Sequence, residues 1–323
     1  MARHVLLTGG AGFIGSHVAR RLLGRGDRVT ALDDFNDFYD PALKRANAVE
    51  FADRDGWRLV EGDIRDAALV DRLFRDGSFD AVVHIAARAG VRPSLKEPIL
   101  YEDVNCIGTL RLLEAARRHG PANFVFASSS SVYGINEKVP FAESDPVDLP
   151  ISPYATTKRA GELLCFNYSH LYGLRSSCLR FFTVFGPAQR PEMAIAKFTD
   201  LLARGESVPL YGDGRSRRDY TFIDDIVDGV VAALDLAPAF EIFNLGGSVT
   251  TALGDLVQWI AEELGVEARI DRLPEQPGDV PITFADVTKA RRLLGYEPRV
   301  PIREGLKRYV AWYRKGREGA ARR

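Results

Sequence analysis

In SPYATTKRAGE (152–162), Tyr154 and Lys158 stand four residues apart, the spacing that puts two side chains on one face of a helix. An ammonium beside a phenol favours the phenolate and brings a pKa of about 10 toward working pH, so such a pair can accept and return a proton. Upstream, FASSSSVYG (126–134) sets four hydroxyls in a row, either as a solvated turn or as short donors facing a ligand. Near the N-terminus, TGGAGFIG (8–15) spaces Gly9, Gly12 and Gly15 as G-x-x-G-x-x-G, while Gly10, Gly12 and Gly15 satisfy G-x-G-x-x-G. Glycines so spaced permit a tight turn, close approach of backbone to a pyrophosphate and close helix packing, and the helix N-terminus favours the phosphate charge. Asp33 follows at the end of the next apolar run, where a carboxylate accepts the hydroxyls of an adenosine ribose. It would repel a 2′-phosphate, so NAD is expected rather than NADP.

These groups need a frame, and the apolar runs supply one. HVLLT (4–8), DRVTALD (27–33), WRLVEGD (57–63), AVVHIAA (81–87), NFVFASS (123–129), SSCLRFF (176–182) and EIFNLGG (241–247) read as strands. Between them lie helical stretches, among them 105–118 and 154–172, the second opened by Ser152 as N-cap and Pro153 at the first helical position. Near-continuous apolar strands alternating with helices predict an α/β fold, a doubly wound parallel sheet buried on both faces, with ligands at the strand ends. From about residue 183 the pattern turns irregular and rich in Pro and Gly, interrupted by the helical stretch 226–234. The expected division is therefore a dinucleotide-binding domain of 1–182 plus about 222–250, and a smaller C-terminal substrate-binding lobe of about 183–221 plus 251–323. No repeat and no low-complexity tract interrupts it.

Composition narrows the function classes. With 46% hydrophobic residues and 27% charged ones, 323 residues can bury a large core. Lys and Arg number 43 against 44 Asp and Glu, so no overall field draws the chain to nucleic acid or an acidic membrane. The basic residues Arg314, Lys315, Arg317, Arg322 and Arg323 are expected in a frayed, solvated tail. Cys106, Cys165 and Cys178 form no paired spacing, and the five histidines form no metal-binding motif, so neither a disulfide framework nor a metal is expected. The opening apolar run is too short for a signal segment, and no run approaches a membrane span, so a cytoplasmic location is expected.

Taken together, TGGAGFIG, GDIRD (62–66), HIAARAGVRPS (84–94), the SSxxVYG segment, Tyr154-x-x-x-Lys158, RRDYTFIDD (217–225) and QPGDVP (276–281) stand in the order and spacing of one family. The chain resembles the extended short-chain dehydrogenase/reductases, nucleotide-sugar epimerases and dehydratases that hold NAD tightly, and does so over essentially its whole length. That resemblance implies a Rossmann-type fold. It implies that Gly9, Gly12, Phe13, Ile14, Gly15, Asp33, Ala86, Ala87, Asn105, Tyr154 and Lys158 line the cofactor, with Asp63 and Ile64 beside the adenine. Arg88, Arg218 and Asp279 would serve a UDP-sugar, the last two holding its nucleotide part. Tyr154 would act as base and then acid at the sugar 4-hydroxyl, Lys158 would lower its pKa and contact the nicotinamide ribose, and Ser129 would hydrogen-bond the 4-oxygen. Homodimerisation through the two long helices is implied as well.

The residues after Ser129 narrow the chemistry. In 4,6-dehydratases of this family those two positions are Asp and Glu, and in UDP-glucuronate decarboxylases the second is Glu; here they are Ser130 and Ser131. Without an acid, elimination and acid-assisted decarboxylation lose their chemistry, whereas returning hydride to the other face of C4 needs no further acid or base. Segments 33–44, 180–198 and 276–281 look most like UDP-glucuronate 4-epimerases, although Asp34 and Glu192 depart from the commoner Asn and Asp. Oxidation at C4 of a glucuronate places a ketone β to the C6 carboxylate, a group that readily loses CO₂, so the pocket must restrain it. Ser130, Ser131 and Thr183 are the candidate donors for that carboxylate and Arg190 the candidate ionic partner, with a surface arginine in a Pro-rich loop as the alternative. UDP-glucose and UDP-N-acetylglucosamine 4-epimerases share parts of these motifs and remain the alternative substrate class. A non-catalytic NAD-binding sensor is the alternative of another kind, but such proteins generally lose the Tyr/Lys pair.

Overall fold

The computed structural model describes residues 2–121, 123–274 and 281–321. Twelve strands are present among them: β1 (His4–Thr8), β2 (Arg28–Asp33), β3 (Trp57–Glu61), β4 (Ala81–His84), β5 (Asn123–Ser129), β6 (Arg175–Phe181), β7 (Thr183–Phe185), β8 (Val208–Tyr211), β9 (Arg217–Phe222), β10 (Phe240–Leu245), β11 (Thr250–Ala252) and β12 (Ile270–Leu273). Seven of these make one parallel sheet in the order β10-β6-β5-β4-β1-β2-β3. The chain runs outward from β1 on one side and then outward from β4 on the other, so a crevice opens at the carboxyl ends of β1 and β4. Thr8 pairs with Leu32 and His84, and Ser129 with Phe181, which brings the glycine turn, Asp33 and the serine run to one edge.

Alternation across the central strands explains the two helix layers. In β1, Val5 and Leu7 join the apolar cluster on one face and Leu6 the cluster on the other, all fully buried. β3 departs from the expected burial on both faces. It is the sheet's outer strand, and Arg58, Leu59 and Glu61 are exposed there. Beyond the main sheet, β7 and β11 flank β9, and β8 pairs with β12. β10, from the second half of the chain, returns to the main sheet beside β6.

Two helices differ from expectation. The 105–118 stretch opens as a π-turn, Asp103–Ile107, before the α-helix Gly108–His119. The extra residue in that turn coincides with Asn105, whose side chain is committed to three bonds described below. At the C-terminus, Arg314 and Lys315 lie within a helix, Ile302–Ala321, not in a frayed tail. Arg314 donates to the carbonyls of Glu263 (3.1 Å) and Leu264 (3.0 Å), closing the carboxyl end of the helix Leu253–Leu264. Arg322 and Arg323 lie outside the described residues.

Candidate active site

The glycine turn is packed as tightly as its spacing predicts. Gly9 adopts φ +69°, and a Cβ at Gly15 would sit 2.0 Å from the Gly9 carbonyl oxygen, so the helix Phe13–Gly24 approaches the turn as only glycine allows. A Cβ at Gly12 would meet only that same carbonyl, at 3.2 Å, and otherwise enters open space. Across the cleft, Asp33 is buried and accepts the amides of Ala11 (3.0 Å) and Phe35 (3.1 Å). Burial raises its pKa, against the pull of the Phe35 amide and the Lys44 ammonium. Lys44, which sequence reasoning missed, is itself buried and donates to the Asn36 carbonyl at 2.9 Å. Each carboxylate oxygen of Asp33 takes one amide and keeps acceptor capacity for a pair of ribose hydroxyls.

The other residues expected to line the cofactor fall along the same wall. Although burial disfavours its charge, Asp63 is held below the usual carboxylate range by Arg65, whose Nη2 lies 2.7 Å away. Ile64 is buried beside it. The Ala86 amide bonds Thr8, and the Ala86–Arg88 segment is fixed by Asn105, which accepts the Arg88 amide (2.8 Å) and donates to the Arg88 carbonyl (3.0 Å) and Thr157 (3.0 Å). Ala87 and the Arg88 guanidinium line the cleft, the latter 3.4 Å from Asn36. The cleft has a volume of about 450 Å³, and Phe13, Ile14 and the Tyr154 wall complete this end of it.

Tyr154 and Lys158 project from the helix Pro153–Tyr172, which starts where Ser152 accepts the Ala155 amide at 3.1 Å. Burial raises the Tyr154 pKa; a hydrogen bond from Ser129 and the charge of Arg190 pull it back. Lys158 is 4% exposed, its Nζ 5.9 Å from the centre of the Tyr154 ring and donating to the Ala127 carbonyl at 2.7 Å. Burial also pushes the Lys158 ammonium down, to about 8.

The four serines separate into different roles. Ser128 is buried and donates to Glu162 at 2.6 Å. Ser129 accepts both the Ser131 amide (3.2 Å) and the Ser131 hydroxyl (2.9 Å). Ser131, expected as a donor to the ligand, thus spends its hydroxyl hydrogen on Ser129. Ser130 and Thr183 line the cleft beside Tyr154. Arg190 lies in the same wall, 21% exposed, 3.1 Å from Glu192 and over the Phe38 ring at 5.7 Å. Arg218 lines the far end. Asp279 falls outside the described residues.

Behind the serines lies a buried ion pair that the spacing did not reveal. Glu162, two turns beyond Tyr154, receives Arg180 from β6 through two bonds of 2.8 and 2.9 Å, with Arg159 at 3.1 Å. Arg180 also packs over the Tyr133 ring at 4.8 Å. Only a tertiary pairing joins Glu162 to Arg180, whereas Arg159 stands one turn away on the same helix. Among the described residues no cluster of His, Cys, Asp or Glu could hold a metal, and no helix is long and apolar enough to cross a membrane.

A doubly wound sheet, a glycine cradle with Asp33, and a Tyr154/Lys158 pair opposite a serine-lined pocket define the extended short-chain dehydrogenase/reductase class. Within it, the chain belongs to the GDP-mannose 4,6-dehydratase family, whose model matches residues 6–309. It is 45% identical over 328 aligned residues to UDP-glucuronate 4-epimerase 4 of Arabidopsis thaliana, covering 96% of this chain and 75% of that one. Its structure matches that of the Bacillus cereus UDP-glucuronic acid 4-epimerase in complex with UDP-glucuronic acid and NAD, with a TM-score of 0.91 at 34% identity, covering 97% of this chain and 99% of that chain. It also matches the Thermotoga maritima UDP-glucose 4-epimerase with UDP-glucose, with a TM-score of 0.88 at 34% identity over 97% of this chain and 99% of that chain.

Proposed function

We propose that this protein is an NAD-dependent isomerase, a 4-epimerase that interconverts UDP-glucuronate and UDP-galacturonate through a 4-keto intermediate. The observation that carries this reading is the distribution of acids in the cleft. Among the described residues its carboxylates are Asp33, Asp34 and Asp63, all at the cofactor end, while the wall around Tyr154 offers Ser129, Ser130, Ser131, Thr183 and Arg190. Bound NAD supplies a reversible hydride acceptor for C4. Tyr154 takes the 4-hydroxyl proton, Ser129 hydrogen-bonds the same oxygen, and Lys158 supplies positive charge behind the phenolate. The ketone then turns its other face to the cofactor while Arg218 and Asp279 anchor the nucleotide, and Tyr154 returns the proton. Ser130, Thr183 and Arg190 hold the C6 carboxylate, keeping the bond to CO₂ out of alignment with the ketone π system.

The same reading takes residues 1–182 plus about 222–250 as the cofactor domain and the remainder as the sugar-nucleotide lobe. It places the protein in the cytoplasm as a homodimer. The exposed Ile107, Leu163 and Phe166 on the two long helices support pairing with a second copy. A substrate panel of UDP-glucuronate, UDP-glucose and UDP-N-acetylglucosamine, with epimers separated, tests the assignment. Conversion of UDP-glucuronate should be far the fastest and free of UDP-pentose; equal or faster turnover of a neutral hexose moves the protein to the hexose epimerases.

A further inference from the structure

His17 stands on the helix Phe13–Gly24, just past the glycine cradle. Its Nε2 lies 3.0 Å from the carbonyl oxygen of Pro187, 170 residues away in sequence, and its Nδ1 lies 3.1 Å from Nη1 of Arg20. These partners decide where the ring proton sits. A carbonyl oxygen can only accept and a guanidinium can only donate, so the ring is the neutral tautomer with its hydrogen on Nε2, giving to Pro187 and accepting from Arg20. Arg20 is itself fixed, its Nε and Nη2 donating to Glu50 at 2.8 and 2.6 Å. Burial lowers the His17 pKa, outweighing the pull of the Pro187 carbonyl, and so favours the same neutral ring.

The loop that accepts this bond carries Arg190. Next to Pro187, Ala188 adopts φ +62°, a left-handed conformation that a residue other than glycine holds only with support from its surroundings. Support from within comes from the buried Gln189, whose side chain accepts the Gly186 amide at 3.2 Å. Support from outside comes from His17. Arg190 follows at once and enters the cleft wall beside Thr183 and Met193.

We propose that His17 is a positioning residue for the sugar carboxylate: its bond to Pro187 ties the Arg190 loop to the cofactor helix and so sets the place of the Arg190 guanidinium in the pocket. The inference rests on the reading of Arg190 as the partner of the C6 carboxylate. Because the anchor belongs to the helix that carries Phe13, Ile14 and Gly15, Arg190 is held in register with the cofactor wall against which C4 reacts.

The test compares NAD-loaded wild type, His17→Ala and His17→Gln, each with and without Arg190→Ala. His17→Ala should raise KM for UDP-glucuronate roughly 3- to 10-fold, the range that one lost hydrogen bond sets, with kcat little changed. Its NAD content and the calorimetric Kd of UDP, which carries no carboxylate, should stay at wild-type values. His17→Gln, whose side-chain NH₂ can donate to Pro187 and whose oxygen can accept from Arg20, should restore KM. On the Arg190→Ala background, His17→Ala should add nothing. If His17→Ala folds poorly, His17→Leu fills the space of the ring without a donor and takes its place. An unchanged KM, a glutamine variant that behaves like alanine, or an equal rise on the Arg190→Ala background overturns the proposal. A matching rise in the Kd of UDP overturns it too, because the whole cleft would then have loosened. An Arg190→Ala protein with wild-type KM for UDP-glucuronate would instead sink the carboxylate reading of Arg190 beneath it.

Discussion

Replacing Glu162 by Gln tests how the serine strand and the Tyr154 helix are locked together. The Glu162 side chain is 0% exposed and its partner Arg180 1% exposed. The carboxylate accepts Ser128, two nitrogens of Arg180 and one of Arg159 at 2.6–3.1 Å. Gln keeps the shape but offers one acceptor oxygen, turns an amide NH₂ toward the guanidinium and leaves the Arg180 charge buried without a counter-charge. Breaking one side of such a pair costs about 3–5 kcal/mol. At roughly 2–4 °C per kcal/mol for a chain of this general size, the melting temperature should fall by on the order of 10 °C. Calorimetry and urea unfolding of the NAD-loaded protein measure it directly. Because Ser128 precedes Ser129, turnover at a temperature where the variant remains folded should fall too. The paired replacement Glu162→Leu with Arg180→Met should destabilise less than Glu162→Gln, since no charge is then stranded. A Glu162→Gln protein within about 1 kcal/mol of wild type would refute the view of this pair as a structural lock.

Two further perturbations probe other parts of the frame. Gly15→Ala puts a Cβ where the Gly9 carbonyl already stands, at 2.0 Å, so the variant should lose NAD on purification, read by absorbance and by titration with added NAD; tight retention would refute the cradle. Asp219 is fully buried and accepts the amides of Gly247 (2.6 Å), Ser248 (3.0 Å) and Ala285 (3.1 Å). Asp219→Ala strands the buried Ala285 amide and the part-buried amides of Gly247 and Ser248 and should cost several kcal/mol, at about 1–3 kcal/mol for each buried donor left unpaired, measured by urea unfolding. Burial pushes the Asp219 pKa up from 3.8 to about 6, so the folded protein holds this proton more tightly than the unfolded chain does. Its contribution to stability is therefore full below 3.8 and lost as pH rises through about 6. Wild type should show that loss between these values, and Asp219→Ala should not.

What the sequence made legible, and what it hid, follows from the range of the interactions involved. The central strands could be read because burial on both faces writes itself into consecutive residues such as Val5, Leu6 and Leu7, and the cradle because only glycine tolerates its contacts. In sequence, Leu59 and Val60 make β3 look like a central strand, and only its place at the edge exposes it. The π-turn at Asn105 and the Glu162/Arg180 pair depend on partners 17 to 52 residues away, in Arg88 and Thr157, or on the neighbouring strand β6. No local period records such pairings. The serine run lies between these cases. Four identical hydroxyls carry no pattern of their own, yet strand geometry divides the first two, sending Ser128 to Glu162 while Ser129 meets the amide and hydroxyl of Ser131. The turn that follows ends the alternation and folds Ser131 over Ser129.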